Sequence, residues 1–288
     1  MPANFIPEVM AKSVLLALRN NMVGSSFVNR KYEGEIQAVG DTVNIVSPGA
    51  ITISDYDKNG TLAWQALTDS QKQLIIDISK SFSFVVDDID KFQSQPDIQQ
   101  IYGDEAAFAL KEVSDTLIFG KYIDASASNI IDTIVLTKSN IYSQFVNMQK
   151  RLNKSKVPLE GRRAAVGPDE YALLLEAPEF VHATADGDKV IASGKVGNIA
   201  GFEVFMTNNL TEEAAATVAT GTNTQRFLMF THPNYGITMA EQILNVEKIR
   251  LESKFGTGVR GLHVYGLKTV RPDALGVIRV DTGIAGTL

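Results

Sequence analysis

The chain has 288 residues, 44% hydrophobic and 21% charged, with a net charge of −6 and no cysteine. This is ordinary globular composition, which argues against wholesale disorder, and the lack of thiols excludes disulfides, thiolate metal sites and cysteine nucleophiles. No lysine- or arginine-rich block stands out, so tight sequence-specific DNA binding is not expected, and no run approaches the roughly 18 apolar residues that span a bilayer.

The opening MPANFIPEVMAKSVLLAL carries Glu8 and lacks a basic leader region, so it reads as mature structure and not as a signal peptide. Phe5, Ile6, Val9, Met10, Val14, Leu15 and Leu18 fall at helical spacing over residues 5–20, with Pro7 tolerated in the first turn. Such a helix packs either on its own domain or, as an arm, on a neighbouring subunit.

Over residues 32–53, Ile36, Ala38, Val43 and Ile45 come near to alternation around a Gly40-Asp41 turn, which predicts strands. A second β-rich run covers 73–88, where Ile76, Ile78, Phe82 and Phe84 keep period two until Val85 and Val86 break the phase. Between them lies a polar, turn-rich segment with a lone Trp64. Arms of about 12 residues would reach roughly 40 Å. An isolated ribbon of that kind is marginal in water, so the hairpin should lie on its own domain or on another subunit.

The strongest helix signal runs over 97–122, with Tyr102, Ala106, Leu110, Val113 and Leu117 as the apolar stripe and Asp104, Glu105, Lys111, Glu112 and Asp115 mostly off it. A mixed α/β region follows. Residues 130–136 read as a strand, and Thr137 can cap a helix that buries Ile141, Phe145, Met148 and Leu152. Ala164 to Val166 form a short buried strand before a Gly-Pro turn and a short helix. Residues 196–208 read as a strand, 211–225 as a surface loop, RFLMF as a buried strand and 243–255 as an alternating one. Gly256 to Gly261 read as a turn between strands, and the tail supplies a strand and a last β segment.

Catalytic signals are weak. His182, His232 and His263 do not pair at ligand spacing, and no nucleophile-elbow, Walker, dinucleotide or zinc-helix motif is present. Asp55, Asp57, Asn59 and Gly60 match the first half of a calcium loop, but Ala66 stands where the bidentate Glu belongs. Those residues are also ordinary turn formers. The acidic pairs Asp87-Asp88 and Asp186/Asp188 read as solvated turns. No catalytic residue, cofactor or metal ligand is expected.

Three segments carry a resemblance. IPEVMAKSVLLALRNNMVGSSFVNRKYEGEI with GDTVNI looks like the start of many phage coat proteins. VPLEGRRAAVGPDEYALLL is similar to their strand–turn–helix, and NVEKIRLESKFGTGVRGLHVYGLKTVRPDALGVI resembles their returning strand and closing segment. Taken in order over essentially the whole chain, they resemble the major capsid proteins of tailed bacteriophages, the α+β Hong Kong 97 fold.

The resemblance implies an N-terminal arm (1–41), an extended β-hairpin loop (42–88), a peripheral domain with a long spine helix (89–129 and 243–261) and an axial domain (130–242 and 262–288). It implies hexamers and pentamers of the chain itself, building an icosahedral virion shell around double-stranded DNA held without sequence-specific binding, and no membrane. Assembly would take place in the host cytoplasm with a scaffolding protein and a portal. A decoration protein is a further possible partner, and the scaffold should be a separate chain.

Phe5, Leu15, Leu18, Asp55, Lys58, Trp64 and Lys72 are the candidate interface residues. Some relatives crosslink neighbours through a Lys–Asn isopeptide bond; Lys58, Lys72 and Lys80 lie in or beside the hairpin within reach of a subunit boundary, but neither the partner asparagine nor the activating glutamate has a matching motif. Two alternatives stand beside this reading: an encapsulin-like nanocompartment shell, and a soluble enzyme or calcium module built on Asp55, Asp57 and Asn59.

Overall fold

The computed structural model describes residues 22–31, 42–48, 51–53, 55, 64–66, 69–87, 98–177, 197–214, 224–251 and 255–282. The expected helix over 5–20, residues 32–41 and His182 lie outside them. In chain order come β1 (Val28–Asn29), β2 (Thr42–Pro48), β3 (Asp69–Ile75), β4 (Ile78–Asp87) and the long helix α1 (Ile98–Phe119). Next are β5 (Ile130–Ile134), α2 (Ile141–Lys154), β6 (Arg162–Val166), α3 (Pro168–Glu176), β7 (Asn198–Ile199), β8 (Phe202–Met206) and β9 (Glu212–Ala214). Four strands close the chain: β10 (Thr224–Thr231), β11 (Ile237–Arg250), β12 (Gly256–Thr269) and β13 (Leu275–Asp281).

Among the described residues these strands form three sheets. A four-stranded sheet runs β1-β11-β12-β4, with β1 parallel to β11 and the other pairs antiparallel. A larger sheet runs β5-β13-β10-β6-β8-β7, with β9 also paired to β10. β2 and β3 make a separate hairpin in which Thr42 faces Ile75 and Pro48 faces Asp69.

The larger sheet is organised by three rings. Phe145 on α2, Phe202 on β8 and Phe230 on β10 meet edge to face, with centroids 5.1 to 6.4 Å apart. Each is fully buried, as are the other α2 residues expected to face the core, Ile141, Met148 and Leu152. Edge-to-face rings gain contact energy beyond the area they bury.

Several sequence expectations shift in the folded chain. The expected long hairpin divides: among the described residues 42–48 and 69–75 pair with each other, and β4 leaves to join β12. The phase does not break at Val85 and Val86: Val86 is buried and Val85 exposed, so Val86 stays on the face of Phe82 and Phe84. Residues 256–261 are not a turn but the start of β12, and Gly261 serves the sheet by leaving room for the Phe82 ring, which a Cβ would strike.

Residues 198–206 form two strands around Ala200 and Gly201, both at positive φ, and not one. The loop expected at 211–225 is paired at its ends, Glu212–Ala214 against Thr224–Arg226. Asn140, not Thr137, precedes α2. Its side chain instead accepts the Thr137 backbone N–H at 2.8 Å.

The stripe of α1 is also rotated. Val113 and Tyr102 are exposed, while Asp115, Ile118 and Phe119 are buried with Leu110.

Candidate interaction surfaces

Among the described residues, the base of the hairpin packs on its own protomer. Val43 and Ile45 on β2, with Leu74 and Ile76 on the other arm, pack against Ala240 and Val264 of the four-stranded sheet and against Val270. Lys72 secures this base by donating from Nζ to the Val270 carbonyl at 2.6 Å. Farther out the arms carry exposed apolar side chains: Ile51 is 72% exposed, Ile53 94% and Trp64 95%. Gln65 Oε1 accepts the Thr52 backbone N–H at 2.8 Å, which holds the two arms in register at that level. Exposed large apolar groups gathered at one end mark a contact surface, because a monomer gains nothing by displaying them.

Of the seven candidate residues, the structure therefore brings Trp64 and Asp55 to the exposed outer part of the hairpin and Lys72 to its base. Phe5, Leu15, Leu18 and Lys58 lie outside the described residues, as do Asp57, Asn59 and Gly60 of the calcium-loop match. Ala66, where that loop needs its bidentate Glu, is exposed.

A second apolar surface lies on the four-stranded sheet. Val85, Gly258 and Ile249 sit opposite one another across β4, β12 and β11. Gly258, Leu262 and Val264 alternate with the residues on the other face of β12, so this row shares its face with the hairpin base. Val85 is 55% exposed, Ile249 40% and Leu262 40%, and Phe255 at the end of the β11–β12 hairpin is 81% exposed. The opposite face is covered, with Phe84 meeting Tyr102 of α1 at 5.8 Å.

The N-terminal segment 22–31 is tied into the fold by side-chain contacts as well as by the pairing of β1 with β11. Phe27 sets its ring edge-on to Phe119 and Phe205, each at 5.6 Å. The Asp115 carboxylate accepts the Gly24 backbone N–H and, at 3.2 Å, the Asn209 side-chain amide, and burial raises its pKa. Arg30 pairs with Glu241, which also contacts His263, and these two partners, His263 first, hold the Glu241 pKa low. His263 is thus held in the four-stranded sheet by its contact with Glu241. His232 accepts the Asn234 backbone N–H at Nδ1 at 3.2 Å, and burial lowers its pKa.

Sequence reading missed Asp115 and the Glu241–His263 contact. A carboxylate inside a long helical pattern and a lone histidine in a strand carry no local signal, because their partners lie far away in the chain.

Residues 70–280 match the family described as phage capsid protein. No curated protein sequence matches the chain. Among solved structures, one from Mycobacterium phage Che8 is similar at 28% identity and a TM-score of 0.79, over 96% of this chain and 98% of that one. The capsid structure of cyanophage P-SCSP1u is similar at 16% identity and a TM-score of 0.78, over 96% and 93%. The capsid of Ralstonia phage GP4 is similar at 14% identity and a TM-score of 0.72, over 100% and 99%. At those identities the last two speak for the fold alone.

Proposed function

Because this chain belongs to the phage capsid protein family, a family of shell-forming structural proteins, we propose that its copies join as hexamers and pentamers in an icosahedral shell around double-stranded DNA. Self-assembly into a capsid and a place in the virion follow from the family itself. The observation that carries the finer reading is the hairpin. Ile51, Ile53 and Trp64 are displayed away from their own core, and a second copy of the chain is the partner that covers them in a closed shell. Closed symmetry lets one such contact repeat until no edge remains. Obligate interfaces of this type are large and apolar.

On this reading residues 1–41 form the arm, 42–88 the extended loop, 89–129 with 243–261 the peripheral domain, and 130–242 with 262–288 the axial domain. The paired base of the hairpin and the long helix α1 support that division. A scaffolding protein and a portal act during assembly in the host cytoplasm, and a decoration protein is a further partner of the assembled shell.

Electron microscopy of the purified full-length chain tests the reading, alone and with its scaffold. Shells, tubes or capsomer rings are the expected outcome. A particle-free monomer in the presence of scaffold would sink it. Replacing residues 51–66 by a short turn should leave a folded subunit that fails to close stable shells, and normal particles from that variant would remove the hairpin from the account.

A further inference from the structure

Helix α2 ends in cations that the dispersed look of the sequence conceals. Four of the seven residues from Lys150 to Lys156 are basic, and no carboxylate occurs from Lys138 to Lys156. This corrects the expectation that no basic block exists. The core takes Ile141, Phe145, Met148 and Leu152, so Asn147, Lys150, Arg151 and Lys154, spaced three and four apart, are turned to another face.

Beside that face runs a groove lined by Ser128, Gln144, Asn147, Lys150, Arg151 and Lys154, among others, with no acidic residue in its wall. Arg151 donates to the carbonyls of Ser128 at 2.6 Å and Ile130 at 3.0 Å, which seats its guanidinium against the groove floor. Lys150 and Lys154 are exposed, and among the described residues neither forms an ion pair.

Cations at a helix C-terminus complement its dipole, but that amounts to about half a negative charge, which Arg151 alone outweighs. The remaining ammonium groups, with amide and hydroxyl donors beside them, form a surface suited to an extended anion.

We propose that this groove holds the phosphate backbone of double-stranded nucleic acid without reading its bases, an inference that rests on the shell reading above and names where the wall meets its contents. Its ammonium and guanidinium groups offer only donors, which phosphate oxygens accept, and backbone contacts of this kind position a duplex without specifying a sequence. The chain's overall charge of −6 opposes the same partner at long range, so the contact is weak and salt-sensitive.

The test measures binding of a short random-sequence DNA duplex to the full-length subunit by fluorescence anisotropy across a salt series. Wild type is compared with Lys150→Gln/Lys154→Gln, with each single variant, and with Lys268→Gln on β12 as a control. The double variant should flatten the plot of log affinity against log salt by about 1.8, each single variant by about 0.9, and the control not at all. Circular dichroism melts of the same samples establish that the variants fold.

Equal slopes for wild type and both singly substituted variants would overturn the proposal. So would competition by polyglutamate as effective as that of DNA, which would make an acidic protein the occupant. Electron microscopy of the same preparations reads the shell function separately, so absent shells would defeat that reading while the binding slopes still judge the groove.

Discussion

The carboxylate of Asp115, about one turn before the C-terminal end of helix α1, accepts the backbone N–H of Gly24, and a side chain at position 24 would occupy the space the carboxylate fills. Through Asn209 the same carboxylate reaches the segment that follows β8 of the larger sheet. One buried charge thus ties the N-terminal segment, the long helix and the larger sheet at a single point.

Gly24→Ala tests how tightly that point is packed. The added methyl must displace Asp115 or the 24–27 turn, and overpacking of this kind costs about 1 to 3 kcal/mol. A thermal melt of the soluble subunit should fall by several degrees. An unchanged melting temperature would mean that the helix and the N-terminal turn separate freely.

Asp115→Asn keeps the acceptor for Gly24 and removes the charge. Burial, aided by the nearby Glu112, raises the Asp115 pKa above its ordinary value. The folded state therefore holds this proton more firmly than the unfolded chain, and wild-type stability should decline as pH rises from about 4 through the raised folded pKa. The Asn variant should lack that decline, so its melting advantage grows over the same window and then levels off. A constant difference between the two proteins from pH 4 to 7 would show that the carboxylate is not destabilised by burial.

Glu241 should behave in the opposite sense. His263 and Arg30 lower its pKa, so its contribution is present above the ordinary glutamate value and is lost as pH falls through the depressed one. Glu241→Gln should flatten the acid limb of the wild-type stability curve and free the N-terminal segment for proteolysis near Arg30. Identical acid limbs and identical cleavage rates would count against the contact.

Phe145→Ala removes one ring from the Phe145–Phe202–Phe230 cluster. Truncating a buried phenylalanine costs about 3 to 5 kcal/mol, a large part of what holds a domain folded. The denaturant midpoint of the subunit should drop sharply, with little change in slope. A small loss would mean that the cluster collapses around the cavity.

Trp64→Ala separates assembly from folding. A side chain that is 95% exposed has little folding energy to lose, so the melting curve of the subunit should stay within error of wild type. Shell yield, scored by electron microscopy and light scattering, should fall. Unchanged yield would exclude Trp64 from the contact between copies.

Much of this molecule was legible along the chain. The four core residues of α2 declared themselves by spacing, and the Gly-Pro turn before α3 and the buried β6 and β10 were equally plain. Other features needed the fold. Val113 fits the apolar stripe of α1 better than Asp115 does, yet Asp115 is the buried one, because the turn at Gly24 supplies an N–H that a valine could not use. The cations of α2 looked scattered until the helix turned them to one groove.

Spacing along the chain already gave the order of the main helices and strands and, for α2, the face that is buried, because periodicity records burial locally. Tertiary structure alone decided the partners. It set β4 beside β12 and not along β2, laid β1 parallel to β11, and left Trp64 and Ile53 without cover. Strand pairing depends on which distant backbone groups come within hydrogen-bonding reach, and alternation within a strand says which face is apolar but not what will cover it.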